Sequence, residues 1–281
     1  MRYGIAVNTD NCMACYNCVM ACKDEHCGFA TSVSASQPHE GQFWVNIQSK
    51  ERGDDNRKVK TSNVALMCSH CENPACVNAG KNGAVYKRED GIVIIDPEKA
   101  KGQKEIVDSC PIGAIYWNEE AQIPQKCTMC AHLLDEGWAA PRCVEACPNE
   151  ALFFGDLDDP DSEVSKAIAA GKATPLKPLE GKKTNVAYLN IPTVFLAGSV
   201  YLPGDETGED PADGAEIVLT EKATGEKTVG KTNYFGDWEF EELKPNAEYE
   251  IEISYPGYKK VLLSAFTDTD HYVAETILEA E

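Results

Sequence analysis

The last 134 residues of this 281-residue chain contain no cysteine, although the chain as a whole has thirteen. That absence leaves nearly half of the sequence without a thiolate metal site or a disulfide framework. No run of about 18 or more apolar residues occurs either, so no helix is expected to cross a membrane. The start, Met1-Arg2-Tyr3-Gly4-Ile5-Ala6-Val7, lacks the regions of a secretory signal and has no twin-arginine pair. A cytoplasmic location is the expectation. Positive charge is scarce, with 26 Lys and Arg against 46 Asp and Glu and a formal net charge of −20. Phosphate binding needs a basic footprint, so nucleic acid is not an expected partner. The deficit is steepest after residue 181, where 20 acidic residues face 8 basic ones. Such charge favours solubility and deters wrong contacts.

All thirteen cysteines lie between Cys12 and Cys147, in crowded groups. Gaps of two and three residues argue for metal rather than disulfides. The first group is Cys12-x2-Cys15-x2-Cys18-x3-Cys22. The second is Cys68-x2-Cys71-x4-Cys76, followed by Gly80 where a fourth cysteine could stand. Cys110 is alone before Pro111. The last group is Cys127-x2-Cys130-x12-Cys143-x3-Cys147, before Pro148. A 4Fe–4S cubane takes four thiolates, and in two-cluster ferredoxins the fourth cysteine of each run ligates the other cluster. That crossing rule predicts three clusters. Cys12, Cys15 and Cys18 take Cys147; Cys127, Cys130 and Cys143 take Cys22; Cys68, Cys71 and Cys76 take Cys110. Only Cys27 is left over, as a small structural thiol.

A fourth site is missing as a unit. Ten, seven and four residues before Cys110 stand Ala100, Gln103 and Ile106, and the matching cross-ligand position is Gly80. Loss of all four ligands of one site fits an ancestor with four clusters that lost one. Zinc held by four thiolates is the simple rival, but the first group packs its cysteines too tightly for a zinc ribbon, and Cys-Pro after a crossing ligand marks ferredoxins. His26 and His70 lie near cluster loops and read as structural, since the sulfur count closes without them. Ala114 and Ala151 each follow a Cys-Pro by three residues, where a small side chain allows close approach. Ile112, Ile115, Phe153 and Phe154 read equally as cluster shields or as core.

The chain is long enough for about two domains. Residues 1–155 read as an α+β iron–sulfur module, with strands expected at 3–9 and 92–96. Its halves are residues 1–66 plus 115–155, and an inserted 67–114. Residues 156–190 are rich in Asp, Lys, Pro and Gly and read as a linker, with a short helix near Ser162–Ala170. Residues 191–281 read as all-β. Strands are expected at 194–202, 215–221, 225–232, 236–242, 247–255, 258–266 and 270–279, as a small sandwich or barrel.

Cys12–Cys22 followed by Lys23, the stretch Cys68-Ser69-His70-Cys71-Glu72-Asn73-Pro74-Ala75-Cys76, and Lys126–Pro148 resemble the iron–sulfur subunits of the DMSO reductase superfamily. The resemblance implies a duplicated bacterial ferredoxin-like module that normally holds four 4Fe–4S clusters. It also implies a large catalytic partner carrying a molybdenum or tungsten bis-pterin, in a heterodimer or a higher assembly. Loss of one cluster together with a C-terminal immunoglobulin- or transthyretin-like domain resembles the small subunits of pyrogallol–phloroglucinol transhydroxylases. That implies electron transfer in anaerobic hydroxyl transfer between phenolic compounds. Two alternatives stand beside it: an electron wire for another molybdopterin reductase or hydroxylase, and a scaffold whose clusters only hold the fold. No acid–base pair or nucleophile stands out, so no catalytic residue is expected in this chain.

Overall fold

Short strands alternating with turns of helix follow from a sequence broken every few residues by Gly, Pro and Cys loops. In chain order they are β1 (Tyr3–Asn8), α1 (Asn17–His26), β2 (Val45–Arg52), β3 (Lys60–Met67), α2 (Ala75–Ala79), β4 (Val85–Lys87), β5 (Val93–Ile95) and α3 (Glu105–Asp108). Then come β6 (Tyr116–Asn118), β7 (Ile123–Gln125), α4 (Ala131–Asp135), α5 (Arg142–Glu145), β8 (Leu152–Asp156), α6 (Glu163–Ala170), a 3₁₀ turn (Lys177–Leu179) and β9 (Val186–Leu189). The remainder is strand: β10 (Val194–Asp205), β11 (Gly208–Pro211), β12 (Glu216–Glu221), β13 (Lys227–Lys231), β14 (Asp237–Leu243), β15 (Glu248–Ser254), β16 (Val261–Phe266) and β17 (His271–Ile277). This computed structural model describes residues 1–53, 58–205 and 208–281. It divides into two units, Met1–Ser49 with Asn63–Ile191, and Lys50–Ser62 with Pro192–Glu281.

In the first unit β1 is the centre of a three-stranded sheet, antiparallel to β8 and parallel to β9. Ile5, Ala6 and Val7 are completely buried, as a near-continuous apolar strand covered on both faces should be. Pairing β1 with β8 joins the two ends of the cysteine-bearing segment, setting Ile5 opposite Phe154. Phe154 also stacks on Tyr3 at 5.1 Å between ring centroids, and Phe153 packs with Leu157 and Ile168. Both phenylalanines are therefore core residues of the sheet.

Residues 156–190, expected as a linker, are structured parts of this unit. Ser162 caps α6 by accepting from the Ser165 amide at 3.2 Å. Val164 of α6 and Leu189 of β9 bury fully with Ala6. The parallel pairing of β9 with β1 is the physical reason: the Val186–Leu189 run gains backbone hydrogen bonds and a buried face together. A four-residue apolar run cannot be told from a loop by periodicity.

The second unit builds two four-stranded sheets. One joins β11, β10, β14 and β17; the other has the order β13-β12-β15-β16. Leu196 and Val200 of β10 and Trp238 of β14 share one core with Ile217 and Leu219 of β12 and Ile251 and Ile253 of β15. β12 and β15 alternate buried apolar with more exposed residues, which fixes their register, whereas β10 is buried throughout residues 195–200. All seven strands expected here are present, and β11 is additional. The unit also takes in residues 50–62, the outer ends of β2 and β3. There Arg52 Nε and Nη2 reach both oxygens of Asp270, at 3.2 and 2.7 Å, in a buried pair.

Candidate metal centre

The cysteines sit on sharply bent loops and on the short helices that follow them, with Cys18 and Cys22 on α1, Cys76 on α2 and Cys143 on α5. Ala14 and Tyr16 in the first loop, and Met129 and Cys130 in the last, take left-handed conformations. Non-glycine residues pay about 1–2 kcal/mol for that geometry, and such strain persists where surroundings over-determine it. Tyr16 and Cys130 are then the N-cap residues of α1 and α4.

Two cavities are each lined by four cysteines drawn from separate motifs. Cys12, Cys15, Cys18 and Cys147 line one cavity, with an empty volume of about 350 Å³. Cys68, Cys71, Cys76 and Cys110 line a second, of about 390 Å³. The third quartet is buried: Cys22, Cys127, Cys130 and Cys143 are each less than a tenth exposed. Their mutual influence shows that they are neighbours. Burial, reinforced by Cys130, Cys127 and Cys22, pushes the Cys143 thiol well up. Cys130 rises to about 12 through burial foremost, with Cys127 adding to it. Cys18 rises to about 11 by burial and by Cys12 and Cys147. Cys76 rises to about 11 by burial, with Cys68, Cys110 and Cys71 contributing. Sulfur this crowded and buried ionises only when a cation compensates it, as metal coordination does.

Each quartet also reaches toward the next. Cys18 adds to the shift of Cys143, and Cys68 to that of Cys127. Cys18 thus lies near Cys143, and Cys68 near Cys127.

These residues fit polynuclear clusters better than single ions. Four sulfurs about 2.3 Å from one zinc lie within about 4 Å of one another. Among the described residues, no three His, Cys, Asp or Glu groups converge closely enough to hold one ion. A cubane spreads its thiolates over four irons, which suits quartets that line a cavity. Backbone amides already point at sulfur, as cluster thiolates require. The amide of Ala114 donates to Cys110 Sγ at 3.4 Å, that of Ala151 to Cys147 Sγ at 3.3 Å, and that of Met129 to Cys127 Sγ at 3.3 Å. The first two repeat one geometry, four residues after each Cys-Pro cysteine.

The positions of the missing fourth site are brought together as well, and they are filled. Ala100 and Ile106 are fully buried in a small core with Val85, Ile95 and Ile115. Gln103 closes its edge, accepting from the Lys81 amide at 2.7 Å and donating to the Lys99 carbonyl at 2.7 Å. A side chain at Gly80 would press its Cβ to 2.9 Å from Val85. Cys27 stands apart, its thiol set against the Pro38 carbonyl at 3.5 Å and Gln37 Oε1 at 3.6 Å.

Several neighbours carry more than the sequence alone disclosed. His26 is buried, stacks on Trp44, and lies 3.7 Å from Cys130 Sγ. Burial and nearby His132 lower its pKa to about 3, so it is neutral. His132 pairs with Glu25 at 2.9 Å. Lys126 is 3% exposed and donates to the carbonyls of Val93 and Cys127. Its only signal was a cation directly before Cys127. Tyr188, from the segment read as linker, accepts at its phenolic oxygen from the Met67 amide at 3.3 Å, beside Cys68.

A 4Fe-4S dicluster domain model matches residues 59–157. The pyrogallol hydroxytransferase small subunit of Pelobacter acidigallici is 40% identical over 268 residues, 91% of this chain and 92% of that protein. This chain belongs to the same family. It is accordingly a 4Fe–4S iron–sulfur subunit, as the cysteine groups imply. A tetrathionate reductase subunit of Salmonella typhimurium is 31% identical, covering 69% of this chain and 75% of that protein. A sulfite dehydrogenase subunit of Allochromatium vinosum is 36% identical, over 67% and 82%. The hydroxytransferase match covers 91% of this chain, against 69% and 67% for these two. Among the described residues no helix is long and apolar enough to cross a membrane.

Proposed function

We propose that this chain is a cytoplasmic electron-transfer subunit that holds three 4Fe–4S clusters beside a large subunit with a molybdenum or tungsten bis-pterin. The ligand sets are Cys12, Cys15, Cys18 and Cys147; Cys22, Cys127, Cys130 and Cys143; and Cys68, Cys71, Cys76 and Cys110. The observation that supports this reading is that two cavities are each lined by four cysteines from separate motifs, with Cys22, Cys127, Cys130 and Cys143 buried beside them. When bound, the cubanes supply one-electron redox capacity. The protein holds them, limits water, and sets their potentials through amides, burial and charge.

The first quartet is the end that faces the partner. Cys15 is exposed there, flanked by the exposed apolar side chains of Met13, Tyr16 and Met20. Apolar groups clustered beside an exposed ligand suit a surface covered on assembly. The complex transfers a hydroxyl between phenolic rings, as between pyrogallol and phloroglucinol. Similarity to a hydroxytransferase small subunit over nearly the whole chain supports that choice over a reductase. The paired sheets of the second unit, read as an immunoglobulin- or transthyretin-like sandwich, serve docking.

The test is turnover and reduction of the intact complex under anaerobic conditions. Hydroxyl transfer without any added electron carrier is expected, together with reversible reduction of the clusters by EPR. Turnover only with an external donor or acceptor would favour a reductase or hydroxylase. Clusters that cannot be reduced at any accessible potential would leave only a scaffold role.

A further inference from the structure

Two buried polar atoms at the cavity of Cys68, Cys71, Cys76 and Cys110 meet no hydrogen-bond partner, Ser69 Oγ and His70 Nε2, and only the second belongs to an imidazole. His70 is 1% exposed and lines that cavity. Its Nδ1 accepts a hydrogen bond from the Val93 amide at 3.0 Å. An acceptor at Nδ1 fixes the tautomer, so the proton of the neutral ring sits on Nε2. Nε2 is buried and meets no hydrogen-bond partner. Buried donors without partners are rare and costly, and such an orphan marks the place of a group that accepts. The backbone adds a second sign. His70 holds a left-handed conformation, φ 41°, a strained state that places this ring rather than another group against the cavity.

The environment is also unlike that of the first quartet. The cavity of Cys12, Cys15, Cys18 and Cys147 is lined by no His, Lys or Arg. The His70 cavity is lined in addition by Lys126. A histidine and a lysine thus stand at one site, where the other has only the amide side chains of Asn11 and Asn149.

We infer that His70 Nε2–H donates a hydrogen bond to the 4Fe–4S cluster held by Cys68, Cys71, Cys76 and Cys110, and so raises that cluster's reduction potential. The inference rests on the cluster assignment proposed above. Reduction adds one electron to the cluster and increases negative charge on its sulfurs. A fixed donor in a dry cavity stabilises that charge more than the oxidised state. His70 is a positioning and tuning residue, not a ligand, and electrons entering the clusters would settle at this site.

The test is an EPR-monitored redox titration of the whole protein carrying His70→Asn. Asparagine tolerates the left-handed backbone, and its carbonyl can still accept from the Val93 amide, while the donor at the ε position is lost. The expected result is about a tenfold change in the ratio of reduced to oxidised cluster at a fixed poise, or about 59 mV toward negative potential, at one cluster only. His70→Gln, which returns an N–H to the ε position, should recover part of the shift. Three unchanged midpoints in a variant that keeps the wild-type iron content would overturn the inference. Wild-type protein labelled with ¹⁵N-histidine gives a readout that needs no substitution. Pulsed EPR should detect histidine nitrogen at two clusters, from His26 beside Cys130 and from His70. Absence of histidine coupling at the cluster of Cys68, Cys71, Cys76 and Cys110 would also overturn it. Wild-type protein that lacks three clusters would instead refute the assignment beneath.

Discussion

The crossing of ligands between distant loops is the residue-level feature with the sharpest consequence. Cys147 belongs with the first loop and Cys22 with the last, although each lies in the other's motif. Cys147→Ser and Cys22→Ser should therefore each lower iron from about 12 to about 8 per chain, and EPR should show that they remove different clusters. Loss of the same signal from both variants would refute the crossing. Cys27→Ser should keep all the iron, because Gln37 and Pro38 accept from a hydroxyl as readily as from a thiol. The cysteine groups that line the two cavities were legible in the sequence because sulfur spacing marks them almost alone. His70 and Lys126 were not, because their roles depend on the Val93 amide and carbonyl, which approach from another strand.

Elements explain what the spacing rules left open. The vacated fourth site was visible as missing cysteines at Gly80, Ala100, Gln103 and Ile106, but not what replaced them. The structure packs Ile106 and Ala100 into a dry core against Val85. Ile106→Ala should cost about 2–5 kcal/mol in denaturant unfolding and leave iron content unchanged. The outer ends of β2 and β3 belong to the second unit, a pairing that no local pattern announces because its partners lie far along the chain. Within that unit Lys58 meets Glu239 at 2.7 Å, and Lys60 meets the same carboxylate. Burial alone would raise the Glu239 pKa, but the two lysines outweigh it and hold it below the ordinary glutamate value of 4.5. A lowered acid stabilises the fold above its unfolded pKa and ceases to do so as pH falls through the folded value. Glu239→Gln should therefore lower the melting temperature at pH 7, and the difference should shrink as the pH falls below the ordinary glutamate value and vanish once it passes the lower folded one. An equal deficit at all pH values would mean that packing, not charge, is at stake.

At the scale of the whole molecule, two building principles share one chain. The core of the first unit includes Cys18, Cys22, Cys127 and Cys143 among its buried residues, so metal bound there would contribute directly to its folding. Alternating strands complete the second unit without cysteine. Its seven expected strands were readable from turn signals between them and, in β12 and β15, from alternation such as Tyr249-Glu250-Ile251-Glu252-Ile253. The boundary was harder to read, since β9 adds only four residues to a sheet begun at Tyr3. Everything proposed about electron flow depends on the number of clusters. The most direct measurement is iron and acid-labile sulfide per chain on anaerobically purified protein. Three cubanes predict about 12 of each. About 16 iron would mean that other ligands restore a fourth cubane near Ala100, Gln103 and Ile106, and zinc with little sulfide would contradict the electron-transfer account outright.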